Sequence, residues 1–435
     1  MDVPTDCPQR DERLGWSGDA QVFCRTAAFN MDVASFFTKW LKDVAADQRP
    51  SGKVPEVIPD VLHAQGSPVT TTSAGWGDAA VIIPWNIYMV YGDKRLLETQ
   101  YPSMRAWVEY IRKTAGESYI WKGGSVYGDH LFYQPPVGNI REPDGFTEFD
   151  FIATAFYAYS TSILAAAAKE LGKTEDETTY LEIFKKIKEV FINEYVTKAG
   201  RVGTNSQTSY ILALMFNLLP DDFREKSARF LVEDIKSRRN HLSTGFLGTP
   251  YLCHVLSDNG YTDVAYDLLL QESHPSWLYP VRMGATTIWE RWDGQKTDST
   301  FQDPVMNSFN HYAYGAIGDW MYRVSAGIET MGPGYKHLVI QPHPTKKLTY
   351  SKASFESSYG TVASGWERKG TKIIVSVKIP ANTIATIMLP VNSESKVTEN
   401  GKSIRGNKNF ADIRTADNKL LIEAGSGVYV FEYAE

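Results

Sequence analysis

Residues 180–191 read YLEIFKKIKEVF. Tyr180, Phe184, Ile187 and Phe191 recur at three- and four-residue intervals, while Glu182, Lys185, Lys186 and Lys188 fall between them. At the helical period the apolar set forms one stripe, so the stretch predicts a helix with one buried face. Working outward, the same spacing recurs over 34–46, 79–90, 94–114, 150–171, 206–218, 223–237, 248–259, 262–271 and 306–325. With one more helix beginning near Gly18, that makes about eleven. Only short punctuation separates many of them, as at Gly92-Asp93, Gly172, Pro220-Asp221-Asp222 and Asn259-Gly260. No strands alternate with them, so the expectation is a mainly α fold, an all-α toroid or bundle of antiparallel neighbours.

After Gly332-Pro333-Gly334 the period changes to two. Val375, Val377 and Ile379 alternate with polar residues, as do Ala385, Ile387 and Leu389, and Asn400-Gly401 reads as a hairpin turn ahead of a closing strand, 428–433. The expected organisation is therefore a helical domain over 1–330 and a small antiparallel β-sandwich over 331–435.

The chain has 435 residues, 45 basic and 51 acidic, with a net charge of −6 and no run of Lys or Arg, so nothing marks an electrostatic footprint for nucleic acid. Cys7, Cys24 and Cys253 are too few for a disulfide framework and lack zinc-ligand spacing. No stretch approaches the roughly 20 consecutive apolar residues of a membrane span, and the N-terminus has no basic start followed by an apolar leader. The richest motif begins within six residues of the start, which suggests an absent upstream portion, so the compartment stays unassigned.

The long connections, 47–77, 116–149, 197–205, 238–247 and 274–305, are rich in Gly, Pro, Trp, His and Asp, and loops of that length are usually functional. Two stretches carry the chemistry. "DCPQRDERLGWSGD", 6–19, crowds Asp6, Asp11, Glu12 and Asp19 beside Trp16, with Arg10 and Arg13 between them. Repulsion and an enclosing ring can raise one carboxyl pKa enough to keep a proton, while the arginines hold others ionised. A charge-dense segment before a helix is also commonly just solvated surface. The second stretch, "GATTIWERWDG" at 284–294, sets Glu290 between Trp289 and Trp292, which suits a sugar pocket better than a surface. Two carboxyls on opposite sides of a sugar with an aromatic platform are what glycoside hydrolysis needs. Further aromatic and acidic loops follow the theme: "GWGDA" at 75–79, "WKGG" at 121–124 and "YGDH" at 127–130. His311, placed on the expected 306–325 helix, reads by itself as a hydrogen-bonded core residue. The eight His residues include no HExxH, and no P-loop, GxSxG or dinucleotide signature occurs, so neither metal nor cofactor is expected.

Taken together, "DVPTDCPQRDERLGWSGDAQ", "GWGDA", "LSTGFLGTPYLCHVL", "LLLQESHPSWLYPVRMGATTIWERWDG" and "MNSFNHYAYGAIGDWMYR" resemble the bacterial α-L-rhamnosidases of glycoside hydrolase family 78, across nearly all of 1–330. The tail resembles that family's C-terminal β-domain. The resemblance implies an (α/α)6 barrel, inverting hydrolysis of terminal α-L-rhamnosides, a general acid at Glu12 and a general base at Glu290. It implies rhamnose contacts at Asp6, Arg10, Trp16, Asp19 and His311, with Trp76 and Asp78 as pocket walls. The sequence departs from the family's common Gly-Asp-Trp at Gly128-Asp129-His130, where an imidazole replaces an indole, and, since members usually carry β-sandwich domains upstream of the barrel, the expectation is that this sequence begins downstream of such domains. The expected partner is a rhamnosylated glycan or glycoside, and self-association stays open. The rival readings are an α-toroid glycosidase for another sugar and a non-catalytic carbohydrate-binding or inactive fragment; a panel of aryl glycosides separates the first, and sugar binding without hydrolysis marks the second.

Overall fold

The computed structural model describes residues 3–7, 13–64, 72–135 and 144–434. Two units make up the chain: one holds residues 1–24, 35–86 and 94–317, the other residues 25–34, 87–93 and 318–435.

In the first unit helix follows helix as hairpins. Phe149–Glu170 turns through Gly172 into Thr174–Tyr195, Gln207–Met215 into Asp221–Ser237, and Thr249–Asp258 into Thr262–Leu269. The turns carry their own stop signals. After Phe149–Glu170 the Lys173 N–H bonds the Ala168 carbonyl and Gly172 bonds Lys169, which closes the orphaned carbonyls of the last turn; Tyr261 with Leu256 and Gly260 with Ser257 repeat the device. Glu175, Asp176 and Glu177 occupy the first turn of Thr174–Tyr195, where the helix dipole favours negative charge. The stripe read from 180–191 is the buried one: Tyr180, Ile187 and Phe191 are inside, and Phe191 meets Phe151 at 5.0 Å between ring centroids. Phe149–Glu170 is long and apolar enough to cross a membrane, at mean hydropathy 1.4, but 83% of that stretch is buried within the structure, as suits a core helix.

One expected helix is not formed. Residues 306–325 break into short 3-10 turns at Pro304–Met306 and Ala313–Ala316, one α turn at Ile317–Trp320 and a π turn at Met321–Ser325. Between them the backbone pairs with a distant segment: Glu290 N–H bonds the Ser308 carbonyl and His311 N–H bonds the Ile288 carbonyl. These groups cannot serve a helix as well, so the helical spacing of the side chains loses to non-local pairing.

The second unit carries two sheets. One orders strands Ile328–Thr330, His337–Ile340, Ile384–Leu389, Lys419–Ala424 and Phe410–Ala416; the other orders Tyr350–Ser357, Gly360–Lys369, Lys372–Ile379, Gly427–Ala434, Val397–Glu399 and Lys402–Ser403. Neighbours are antiparallel except His337–Ile340 beside Ile384–Leu389, which run parallel. Val375, Val377, Ile379, Ala385, Ile387 and Leu389 are all buried, as the period of two requires. Asn400 and Gly401 both have positive φ, 48° and 75°, the geometry of a type I′ hairpin between Val397–Glu399 and Lys402–Ser403. The unit also takes in residues 25–34 and 87–93. Phe29 stacks on Tyr322 at 4.5 Å, and Arg25, Arg323, Asp319 and Glu329 form a half-buried charge network.

Candidate active site

The N-terminal stretch enters the helical unit as an extended segment. Trp16 bridges Val57, Ser17 N–H bonds the Glu56 carbonyl at 2.8 Å and Ile58 N–H bonds the Gly15 carbonyl at 2.9 Å. Helix Ser17–Asn30 follows at once, so Asp19 stands in its first turn. Position 18 must be glycine, because a Cβ there would lie 2.6 Å from the Trp76 indole. Ahead of this segment, Asp6 N–H bonds the Leu14 carbonyl at 3.1 Å, and Tyr312 Oη donates to the Pro4 carbonyl at 3.0 Å.

These elements meet the 288–311 pairing at a pocket lined by three carboxylates, Asp6, Asp19 and Glu290, by His130 and His311, and by Trp16, Trp76, Tyr127, Phe246 and Met306. Its volume is about 70 Å³. The rings form a connected wall: Trp76 lies 4.6 Å from Tyr127, and Trp16 meets Tyr127 edge-on at 5.9 Å. Tyr127 Oη donates to Glu56 at 2.7 Å, which fixes the phenol.

The electrostatics are concentrated. Glu290 is 3% exposed, and its Oε2 accepts the Ser308 N–H at 2.7 Å. His311 Nε2 stands 3.1 Å from Asp19 Oδ1 as a charge pair, and Ala313 N–H donates to His311 Nδ1 at 3.3 Å, so the neutral ring carries its proton on Nε2, the nitrogen beside Asp19. Burial alone would lower the His311 pKa; the bond to Asp19 and the charges of Asp19, Glu290 and Asp6 outweigh it and hold the pKa above the ordinary imidazole value. Protonated His311 offsets one of three carboxylates that would otherwise repel one another in a poorly solvated site.

A larger open groove of about 610 Å³ lies elsewhere in the helical unit, lined by Ala106, Tyr110, Lys113 and Tyr119 among others. Its Glu109 is bound to Arg112 at 2.6 Å, and its lining has two carboxylates, Glu109 and Glu117, against three carboxylates and two imidazoles in the smaller pocket. The smaller pocket is the one equipped for chemistry.

The model of the bacterial alpha-L-rhamnosidase 6 hairpin glycosidase domain matches residues 1–324, and that of the bacterial alpha-L-rhamnosidase C-terminal domain matches residues 327–403. The chain belongs to the bacterial α-L-rhamnosidase family. An alpha-L-rhamnosidase of Formosa agariphila is 42% identical over 99% of this chain and 46% of its own length. The crystal structure of Streptomyces avermitilis alpha-L-rhamnosidase complexed with L-rhamnose superposes with a TM-score of 0.90 at 41% identity, covering 99% of this chain and 39% of that one. Native rhamnosidase from Aspergillus terreus gives a TM-score of 0.87 at 33% identity over 99% of this chain and 47% of that one. The chain thus spans less than half the length of these relatives.

Of the residues the sequence nominated, Asp6, Trp16, Asp19, Trp76, Glu290 and His311 line this rhamnosidase-family pocket. Glu12 and Arg10 lie outside the described residues. Asp78 stands behind the wall: its carboxylate accepts Gly75 N–H at 2.8 Å, Trp107 Nε1–H at 2.9 Å and the Ser160 hydroxyl at 2.5 Å, and burial raises its pKa despite these donors. Asp129 of "YGDH" has the same character, accepting Leu247, Gly245 and Gly248 N–H at 2.7, 2.8 and 3.0 Å. The indoles beside Glu290 are not lining residues either. Trp292 stacks on Tyr314 at 3.9 Å and donates to the Thr244 carbonyl, and Trp289 packs edge-on against Phe309 at 5.1 Å. They brace the segment that presents Glu290. Phe246 and Met306, which sequence reasoning did not nominate, complete the wall; Phe246 sits between Gly245 and Gly248 at the end of the long connection 238–247.

Proposed function

We propose that this chain carries the catalytic machinery of an inverting α-L-rhamnosidase, releasing terminal L-rhamnose from rhamnosides. The observation that carries the reading is the convergence of Asp6, Trp16 and Asp19 with Glu290 and His311, from opposite ends of the helical unit's sequence, on one pocket walled by Trp16, Trp76, Tyr127 and Phe246. Glu290 is the general base. Its carboxylate plane is held by Ser308 N–H, which orients it toward a water on one face of the sugar. Glu12 is the general acid that protonates the leaving glycosidic oxygen from the other face; Leu14, two residues further on, is tied by its carbonyl to Asp6 of the pocket wall. An inverting pair stands about 6.5–9.5 Å apart, which leaves room for the water. Asp6, Asp19, Arg10 and His311 hold the sugar hydroxyls, and Trp16 and Trp76 cover its apolar face. The methyl group of rhamnose favours that aromatic cover more than a hydroxymethyl would.

Kinetics on an aryl α-L-rhamnoside test the reading. Glu290→Gln keeps the shape of the side chain and removes its basicity, so kcat falls by about 10²–10⁴-fold while KM stays within a few-fold. Near-native turnover in that variant removes Glu290 from the base role, and no rhamnose release by the unaltered chain removes the activity itself.

A further inference from the structure

His130 faces the pocket with neither ring nitrogen hydrogen-bonded to any described residue. Its neighbours there are rings, Phe246 at 5.0 Å, Tyr127 at 5.9 Å and Trp76 at 6.2 Å between centroids, all met edge-to-face. The backbone beneath it is held from both sides. The His130 carbonyl accepts Phe246 N–H at 2.8 Å, and the preceding Asp129 carboxylate gathers three N–H groups of residues 245–248. The two segments approach so closely that a Cβ on Gly245 would lie 2.2 Å from the His130 carbonyl oxygen. The imidazole is therefore positioned without spending its own nitrogens.

Burial pushes the His130 pKa down to about 4; Asp19 opposes this, and His311 and Arg291 add to it. At neutral pH the ring is uncharged, with one N–H donor and one lone pair, set among the rings of Phe246, Tyr127 and Trp76 on the pocket wall. A ligand that displaced water without satisfying that edge would leave a buried polar group unpaired, which disfavours it. A hydroxyl, donor and acceptor at once, satisfies it. We propose that His130 is a specificity-determining residue that reads a ring hydroxyl of the sugar held in this pocket, by a hydrogen bond to its imidazole edge.

The proposal rests on the rhamnosidase reading, and its test separates the two. The 435-residue chain and its His130→Phe and His130→Gln variants are assayed on an aryl α-L-rhamnoside and on its 2-deoxy, 3-deoxy and 4-deoxy counterparts. In the unaltered chain one deoxy substrate loses about tenfold or more in kcat/KM through the missing bond to His130. His130→Phe brings the parent down toward that deoxy substrate, mostly through KM, and narrows the gap between them, while His130→Gln restores part of it. An equal fall on all four substrates marks a merely structural ring and overturns the proposal. Should His130→Phe fail to fold, ¹⁵N NMR of the unaltered chain decides: the His130 ring nitrogens shift on saturation with L-rhamnose, and unmoved resonances overturn it. If the unaltered chain neither cleaves rhamnosides nor binds L-rhamnose, the functional reading falls and takes this one with it. Intact hydrolysis with no His130-dependent discrimination removes the His130 assignment alone.

Discussion

Replacing Asp19 with Asn tests whether the buried Asp19–His311 pair organises the pocket. The two side chains are 5% and 2% exposed, with Nε2 and Oδ1 3.1 Å apart. At an effective dielectric of about 20, unit charges at that distance attract by about 5 kcal/mol, and deleting one member of a buried pair costs about 3–5 kcal/mol because the other is left uncompensated. Asp19 raises the His311 pKa, so the pair's added stability is fully present below the unfolded imidazole value of about 6.5 and fades as pH rises through the folded value. Asp19→Asn is therefore expected to cost about 3–5 kcal/mol at pH 5.5. At a pH above the folded imidazole value, where a neutral ring merely exchanges a carboxylate acceptor for an amide, the cost shrinks to about 1–2 kcal/mol. Urea unfolding at the two pH values measures the difference, and an NMR titration of His311 measures the pKa itself, which falls in the variant. An equal loss at both pH values, or a His311 that titrates unchanged, refutes the coupling.

Other outcomes follow from the same geometry. Trp16→Ala removes one face of the aromatic wall and weakens L-rhamnose binding by about 10–100-fold in calorimetry, with little change in melting temperature. Asp129→Ala strands three backbone N–H groups of residues 245–248 and costs about 3–5 kcal/mol of stability in denaturant unfolding, and it lowers activity because Phe246 rides on that segment. In the β-rich unit, burial alone would raise the Glu329 pKa, but Arg323 and Arg25 outweigh it and hold it below the ordinary carboxylate value. That contribution is present above the unfolded pKa of about 4.3 and lost as pH falls through the folded value, so Glu329→Gln costs about 2 kcal/mol at pH 7 and the two proteins converge in acid. Melting curves at pH 7 and pH 3 check it.

What was legible in the sequence is what local physics decides. The 180–191 stripe, the period of two at 375–389 and the Asn400-Gly401 turn each follow from neighbours within a few residues; Tyr180, Ile187 and Phe191 are buried and Phe184 half-buried, and the strands and the turn form. The segment 306–325 was misread because its backbone partners, Ile288 and Glu290, lie about twenty residues away and no spacing within the segment announces them. For the same reason Asp78 and Asp129 carried the composition of pocket carboxylates. Beyond the local Gly75 N–H on Asp78, what occupies their oxygens comes from Trp107 and Ser160 in one case and residues 208–248 in the other, distant in sequence from either motif. Trp289 and Trp292 flank Glu290 in sequence yet brace it from behind, since large rings beside a buried charge serve equally as wall or as support. Phe246 lies in a stretch that carries the family resemblance but has no charge to single it out, and the Asp129 carboxylate holds the 245–248 backbone that presents it to the pocket.

Whether the pocket inverts a rhamnosidic bond is read directly by ¹H NMR of a reaction in progress. Cleavage of an aryl α-L-rhamnoside by this chain should show the β-anomer of L-rhamnose first, with the α-anomer growing in later by mutarotation. Appearance of the α-anomer as first product, or of no rhamnose at all, contradicts the account.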